Sequence, residues 1–176
     1  MKETVRYIIG YIIGFTLFII LIPFGLYKLS QLDSRLLGGR VLFDSNYIRY
    51  FLSSIFCIVG AIFAIWSNIY LLIVGKGGPV DGFGVSISPQ TKKLVITGPY
   101  KYSRNPMVFG AFSLYLSIVL FLNSIVGLIC LFVFLLIAII YLRFSEEKRL
   151  LKDFGDEYRE YRKRVSMIFP IKCKIE

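Results

Sequence analysis

Apolar residues along this chain run in blocks. Residues 7–27, 50–75 and 106–142 contain no charged side chain, while the segments between them are rich in Lys, Arg, Asp and Glu. About 20 consecutive apolar residues cross a hydrocarbon core of roughly 30 Å as a helix, so the first two blocks each predict one membrane span. The third block has 37 residues. At about 1.5 Å per residue it would reach some 55 Å as one straight helix, too long even when tilted. Asn123 and Ser124 form an adjacent polar pair near its midpoint, and the spacing predicts a tight helical hairpin there with two short arms. The expected fold class is an all-α integral membrane protein of about four transmembrane helices, the last two a hairpin, followed by amphipathic C-terminal helices. Residues 1–176 form a single membrane domain in this reading: two N-terminal helices in 1–75, then a loop, the hairpin and the C-terminal helices in 76–176.

Within the first span, Gly10 and Gly14 make a small-xxx-small pair that allows close helix approach. Pro23 predicts a kink near the outer end of that helix. Residues 28–49, with Gly38-Gly39 and Asp44-Ser45-Asn46, read as an external loop ending in a helix cap. Asn68 lies deep in the second span, where an unpaired amide is costly. Hydrogen bonding to another helix is the expected role, and contact with a ligand the alternative. The glycines of 75–84 suit a flexible lid but make no phosphate-binding motif.

Polar chemistry concentrates in 92–110, KKLVITGPYKYSRNPMVFG. A turn at Gly98-Pro99 precedes Tyr100, Lys101, Tyr102 and Arg104, and Pro106 suits the first turn of the following helix, where its missing N–H costs nothing. Cations and tyrosines also form ordinary interfacial belts at membrane surfaces. After Leu142 the chain becomes RFSEEKRLLKDFGDEYREYRKRV. As a helix, it places Glu147, Leu150, Leu151, Phe154, Tyr158, Tyr161 and Val165 on one face, with Glu146 about 100° away. Glu147 thus sits in an apolar stripe and demands a partner, either Arg143 one turn earlier or a ligand. Gly155 is a candidate break in this helix.

Composition agrees with a bilayer: 56% hydrophobic residues and a mean hydropathy of +0.69. The first span has an apolar run longer than a signal peptide's, with no small-residue cleavage pattern after it, so it is expected to be retained. Cys57 and Cys130 lie in apolar blocks and Cys173 near the end, which implies no disulfide framework. The final Cys173-Lys-Ile-Glu places a lysine where a prenylation box takes an aliphatic residue. The net charge of +10 is unevenly placed. The N-terminal segment, the 76–105 loop and the tail hold 17 Lys/Arg against 4 in the 28–49 loop. The positive-inside rule then puts both termini and the central loop in the cytoplasm, and the basic excess reads as topology, not as nucleic-acid binding.

The residues Gly98-Pro99-Tyr100, Arg104-Asn105-Pro106, Glu146-Glu147, Leu150, Phe154-Gly155, Tyr158, Tyr161 and Pro170 resemble, in order and spacing, the isoprenylcysteine carboxyl methyltransferase and phospholipid methyltransferase superfamily of integral membrane enzymes. The resemblance covers about the C-terminal 85 residues. It implies S-adenosyl-L-methionine as cofactor and a lipophilic or lipid acceptor. By that similarity Leu94, Val95, Gly98, Pro99, Tyr100, Arg104, Asn105, Pro106 and Met107 enclose the cofactor from the loop, and Glu146 or Glu147 closes it from the tail. Arg104 and Glu147 are the residues it implies for catalysis. No metal is implied. Better-known members carry histidine after this arginine, whereas this chain has Asn105 and no histidine at all, marking an Arg-Asn-Pro subgroup.

Asn105 cannot act as a base at neutral pH. Methyl transfer from a sulfonium is an in-line displacement, so an acceptor with its own lone pair (carboxylate, thiol or amine) needs chiefly positioning, worth roughly 7–11 kcal/mol. Two other readings remain: an NADPH-dependent membrane reductase relative, usually a longer chain, and a non-catalytic membrane protein of the same fold. Neither the acceptor nor the oligomeric state is legible from the residues.

Overall fold

The computed structural model describes residues 3–77, 81–82, 85–86 and 91–171. Its first helical run comprises α1 (Glu3–Phe15), a π-helical segment (Thr16–Leu21) and α2 (Ile22–Ser30). The disturbance expected at Pro23 takes the form of this π segment. Proline has no N–H, and in an i→i+5 pattern its missing donor orphans the carbonyl of Phe18. The Tyr115 hydroxyl, arriving from another helix, donates to that carbonyl at 3.0 Å. Gly10 and Gly14 are buried, although most of this run's large side chains are exposed, as befits a helix facing lipid.

A short helix α3 (Asp33–Leu36) lies in the 31–45 loop, and α4 (Asn46–Ile73) follows. Ser45 occupies the expected cap position with extended backbone, but its hydroxyl makes no capping bond. Asn68 departs from expectation. Its amide donates to the Ala64 carbonyl of its own helix at 2.9 Å, because a carbonyl one turn back is always within reach of a short polar side chain.

The third apolar block folds back where expected. α5 (Pro106–Leu122) ends at Asn123, which adopts the left-handed conformation (φ 58°), and α6 (Ile125–Tyr141) begins with the Ser124 hydroxyl accepting from the Gly127 N–H. The 31–45 loop clasps this hairpin. Asn123 exchanges two hydrogen bonds with the backbone of Phe43, and buried Asp33 accepts from the Val126 N–H. These bonds satisfy polar groups that would otherwise lie bare at the end of an apolar bundle.

α4 and α5 pack closely along their length. Ser53, Gly60 and Ser67 recur every seven residues on the buried face of α4, and small residues at that interval let two helices cross at a shallow angle with backbones in contact. A Cβ added at Gly60 would lie 2.6 Å from the Leu114 nitrogen, and one at Gly110 would lie 2.6 Å from the Ala64 nitrogen. Phe112, Val119, Leu131, Leu135 and Leu142 fill the core between α5 and α6, joined by Leu26 of α2 and Ile168 of the tail.

Three helices are long and apolar enough to span a bilayer: Tyr7–Leu36, Asn46–Ile73 and the one starting at Ile125. Pro106–Leu122 is a shorter apolar fourth. The protein is an all-α integral membrane protein. The central loop contributes a two-residue antiparallel ladder, Asp81–Gly82 with Val85–Ser86. Of the 75–84 segment read as suited to a lid, residues 78–80 and 83–84 lie outside the described residues. Beyond α6 a second π segment (Leu142–Glu146) leads into α7 (Glu147–Arg164), which breaks at Gly155 (φ 53°, ψ −123°) as anticipated.

Candidate active site

The break at Gly155 turns the second half of α7 back, so that Tyr158, Tyr161 and Arg162 return toward the 98–105 loop. The stretch after it pairs with the loop backbone: the Arg104 N–H donates to the Ser166 carbonyl at 2.9 Å and the Asn105 N–H to Met167 at 3.1 Å. Two segments some sixty residues apart are thus joined where the third span begins.

Arg104 and Glu147 meet at this junction. Their side chains are 10% and 5% exposed, and the Arg104 Nη1 donates to the Glu147 carboxylate in a buried ion pair. Arg104 also donates through Nε to the Val165 carbonyl at 3.0 Å and through Nη1 to the Tyr158 hydroxyl at 3.3 Å. Arg162 stands 3.6 Å from the other Glu147 oxygen. The partner that the apolar stripe demanded is therefore Arg104, with Arg162 at the rim, and not Arg143, which is exposed. Both candidates are arginines, and the buried position of Arg104, held in place by its bonds to Val165 and Tyr158, decides between them.

Asn105 donates its side-chain amide to the Met167 carbonyl at 3.0 Å. Fully buried Ser103 accepts from the Asn105 N–H and donates to the same carbonyl. Pro106 is buried in the first turn of α5, and Met107 beside it is half-buried. Tyr100 is tied to the tail by the Tyr161 hydroxyl, which donates to its carbonyl at 2.7 Å. Pro99 is fully buried.

Gly98 has φ +61°, and a Cβ there would lie 2.5 Å from the Tyr70 ring. Both the backbone and the packing therefore require glycine. Val95 is buried and packs on Gly75, and half-buried Leu94 precedes it. Val95 thereby lies against the chain just past the end of α4. Glu146 is half-buried and bridges to Arg149 at 3.6 Å. Rings close the wall: Trp66 against Tyr70 and Tyr102, and Phe169 of the tail against Phe109 and Phe112.

Burial raises the phenol pKa of Tyr161, Tyr158 and Tyr100 above the ordinary value of 10.0. The hydrogen bond from Arg104 opposes the effect at Tyr158, and the charge of Glu146 adds to it at Tyr100. The site therefore offers a guanidinium, a carboxylate already engaged by it, and neutral hydroxyls. Sequence reasoning placed Tyr158 and Tyr161 on the tail's inner stripe but did not assign them to the site, and it missed Ser103, Arg162 and the carbonyls of Val165–Met167. The stripe was a signal for the tyrosines. The carbonyl contacts depend on the turn at Gly155 and left no mark in residue type. Among the described residues no cluster of His, Cys, Asp or Glu suits a metal.

No curated protein and no solved structure matches the chain. One family profile does: phospholipid methyltransferase, over residues 48–157. That range takes in α4, the Arg104 loop, the hairpin and Glu147, more than half of the chain. The chain thus belongs to the phospholipid methyltransferase family, within the isoprenylcysteine carboxyl methyltransferase-like superfamily of membrane methyltransferases.

Proposed function

We propose that this chain transfers a methyl group from S-adenosyl-L-methionine to a lipophilic, membrane-embedded acceptor bearing a carboxylate, thiol or amine, at the cytoplasmic face. The carrying observation is the convergence of Arg104 and Glu147 in one buried pair where the loop meets the tail. The amino-acid end of the cofactor is a zwitterion. Inserted between the two side chains, its carboxylate would face Arg104 and its ammonium Glu147, so opening the pair leaves no buried charge without a counter-charge. The donor set fits the group in that respect.

When bound, the cofactor supplies a methyl group made electrophilic by its sulfonium. The chain's own residues then have limited tasks. Arg104 and Glu147 orient the polar end. Asn105 and Ser103 hold the tail against the loop. Tyr100, Tyr158 and Tyr161 remain protonated and wall off water. Met107, Pro106, Pro99, Gly98, Leu94, Val95 and Glu146 complete the enclosure in this reading. The acceptor brings its own lone pair, since no histidine exists to provide a base. Four crossings put both termini on one side together with the loop, and the 17-to-4 cation imbalance assigns that side to the cytoplasm.

The test is calorimetric titration of detergent-purified protein with S-adenosylhomocysteine and, separately, NADPH. Binding of the first alone is expected, with loss in Arg104→Ala and Glu147→Gln variants that keep their helix content. NADPH binding would move the chain to reductase chemistry. Undiminished S-adenosylhomocysteine binding by folded Glu147→Gln would reduce the pair to a structural clamp.

A further inference from the structure

A cavity lies at the end of the bundle away from the ion pair. It has a volume of about 560 Å³, and its walls include Tyr27 of α2, Ser53, Ser54 and Cys57 of α4, and Ser117 and Phe121 of α5. Ser117 lies eleven residues beyond Pro106, about 17 Å along α5 from the ion-pair site. α2 packs chiefly on α5 and α6, and α4 on α5, so the cavity is the space left between α2 and α4, and it opens sideways.

The serine hydroxyls on its walls donate within the protein. Ser53 donates to the Ser117 carbonyl, Ser54 to Tyr50 and Ser117 to Leu114. With those protons engaged, and with Tyr27, Ile58 and Phe121 exposed around them, the walls offer an occupant hydrocarbon contact. At this depth in a bilayer the available hydrocarbon is a lipid chain.

The head of the groove carries a charge. Arg49 precedes Ser53 by four residues and Cys57 by eight, so it sits on the same face of α4, one turn above the cavity. Its guanidinium lies 4.5 Å from the centre of the Tyr50 ring and donates to the Tyr50 hydroxyl at 2.6 Å, and that ring packs 5.8 Å from Phe121. The Arg49 Nε is the one buried side-chain polar atom that has no hydrogen-bond partner among the described residues. The Nε itself is closed to solvent, but the guanidinium's bond to Tyr50 lies at the surface, where a phosphate oxygen is an acceptor that a guanidinium suits well.

We propose that this groove holds one glycerophospholipid, an acyl chain between α2 and α4 and the phosphodiester on the outer edge of the Arg49 guanidinium. The site is separate from the methyl-transfer site and lies toward the opposite leaflet. The bound lipid completes the packing of the first helical run, which the protein alone leaves loosely covered.

Native mass spectrometry of delipidated protein tests this with three probes: phosphatidylglycerol, a diacylglycerol with the same chains, and inorganic phosphate. Retention of one phosphatidylglycerol per monomer is expected, with neither of the others retained. Arg49→Met should weaken retention roughly tenfold, and Cys57→Trp, which fills the groove, should abolish it. Circular dichroism confirms that each variant keeps its helices. Equal retention of diacylglycerol, or wild-type retention by either folded variant, would overturn the proposal. So would a dimer that Cys57→Trp disperses, since the groove would then belong to a second copy.

Discussion

Glu147 shows how a single position organises the site. A carboxylate 4% exposed on an otherwise apolar stripe is tolerable only with a fixed counter-charge, and Arg104 provides it from 43 residues away. Glu147→Gln keeps the shape but leaves Arg104 and Arg162 facing a neutral amide, and a loss of about 3 kcal/mol is expected. Denaturant unfolding in detergent measures it. The double variant Arg104→Gln/Glu147→Gln should recover part of that loss, and strict additivity would sink the pairing. Tyr161 bears on pH dependence. Its folded pKa is raised by burial above 10.0, so the folded state keeps a proton that the unfolded chain releases. Its contribution is fully present below about pH 10 and is lost as pH rises beyond, at up to about 1.4 kcal/mol per pH unit. Tyr161→Phe should make the alkaline fall in melting temperature shallower. Parallel curves for the two proteins between roughly pH 8 and 11 would refute the assignment.

Among the elements, the glycines divide by surroundings. Gly60→Ala drives a methyl group into the Leu114 backbone, whereas a Cβ at Gly25 meets nothing within 4 Å. The first should loosen the α4–α5 crossing by several degrees of melting temperature. Gly25→Ala should be neutral or stabilise by about 0.5–1 kcal/mol, because alanine favours the helix. Equal effects would contradict the crossing. At Gly155 no atom obstructs a side chain, but φ 53° with ψ −123° is strained for any other residue, so Gly155→Ala should cost roughly 1–3 kcal/mol. Because this turn returns Tyr161 and Arg162 to the loop, the variant should also expose the 98–105 segment to limited proteolysis. Unchanged cleavage would show that the tail docks without it.

For the molecule as a whole, what could be read in advance follows from which forces are local. Span lengths and the hairpin at Asn123-Ser124 were legible because hydrocarbon thickness imposes a length and a polar pair marks where an apolar block can turn, although the fold then buries both residues. The break at Gly155 was legible from the residue type and the inward set of Glu147 from periodicity. The partner of Glu147 was not, since Arg143 and Arg104 are chemically alike and only tertiary geometry separates them. Nor was the π segment before Pro23, whose orphaned carbonyl is answered by Tyr115 from α5. A proline announces a disturbance but not its repair.

The unequal lengths of the helices have a consequence for the setting in which the protein works. α4 has 28 residues, about 42 Å, and the helix from Ile125 runs on past Tyr141 into α7, whereas α5 has 17, about 26 Å. Because Gly98 lies against Tyr70 and Tyr102 against Trp66, the loop is sunk beside the last turns of α4 and does not ride above them. Beside α5 the surrounding leaflets must thin to avoid mismatch, and a thicker bilayer would draw the loop at its start under acyl chains. Turnover should therefore be higher in vesicles of short-chain phosphatidylcholine than of long-chain. A rate indifferent to chain length would mean that the sunken loop does not govern access to water.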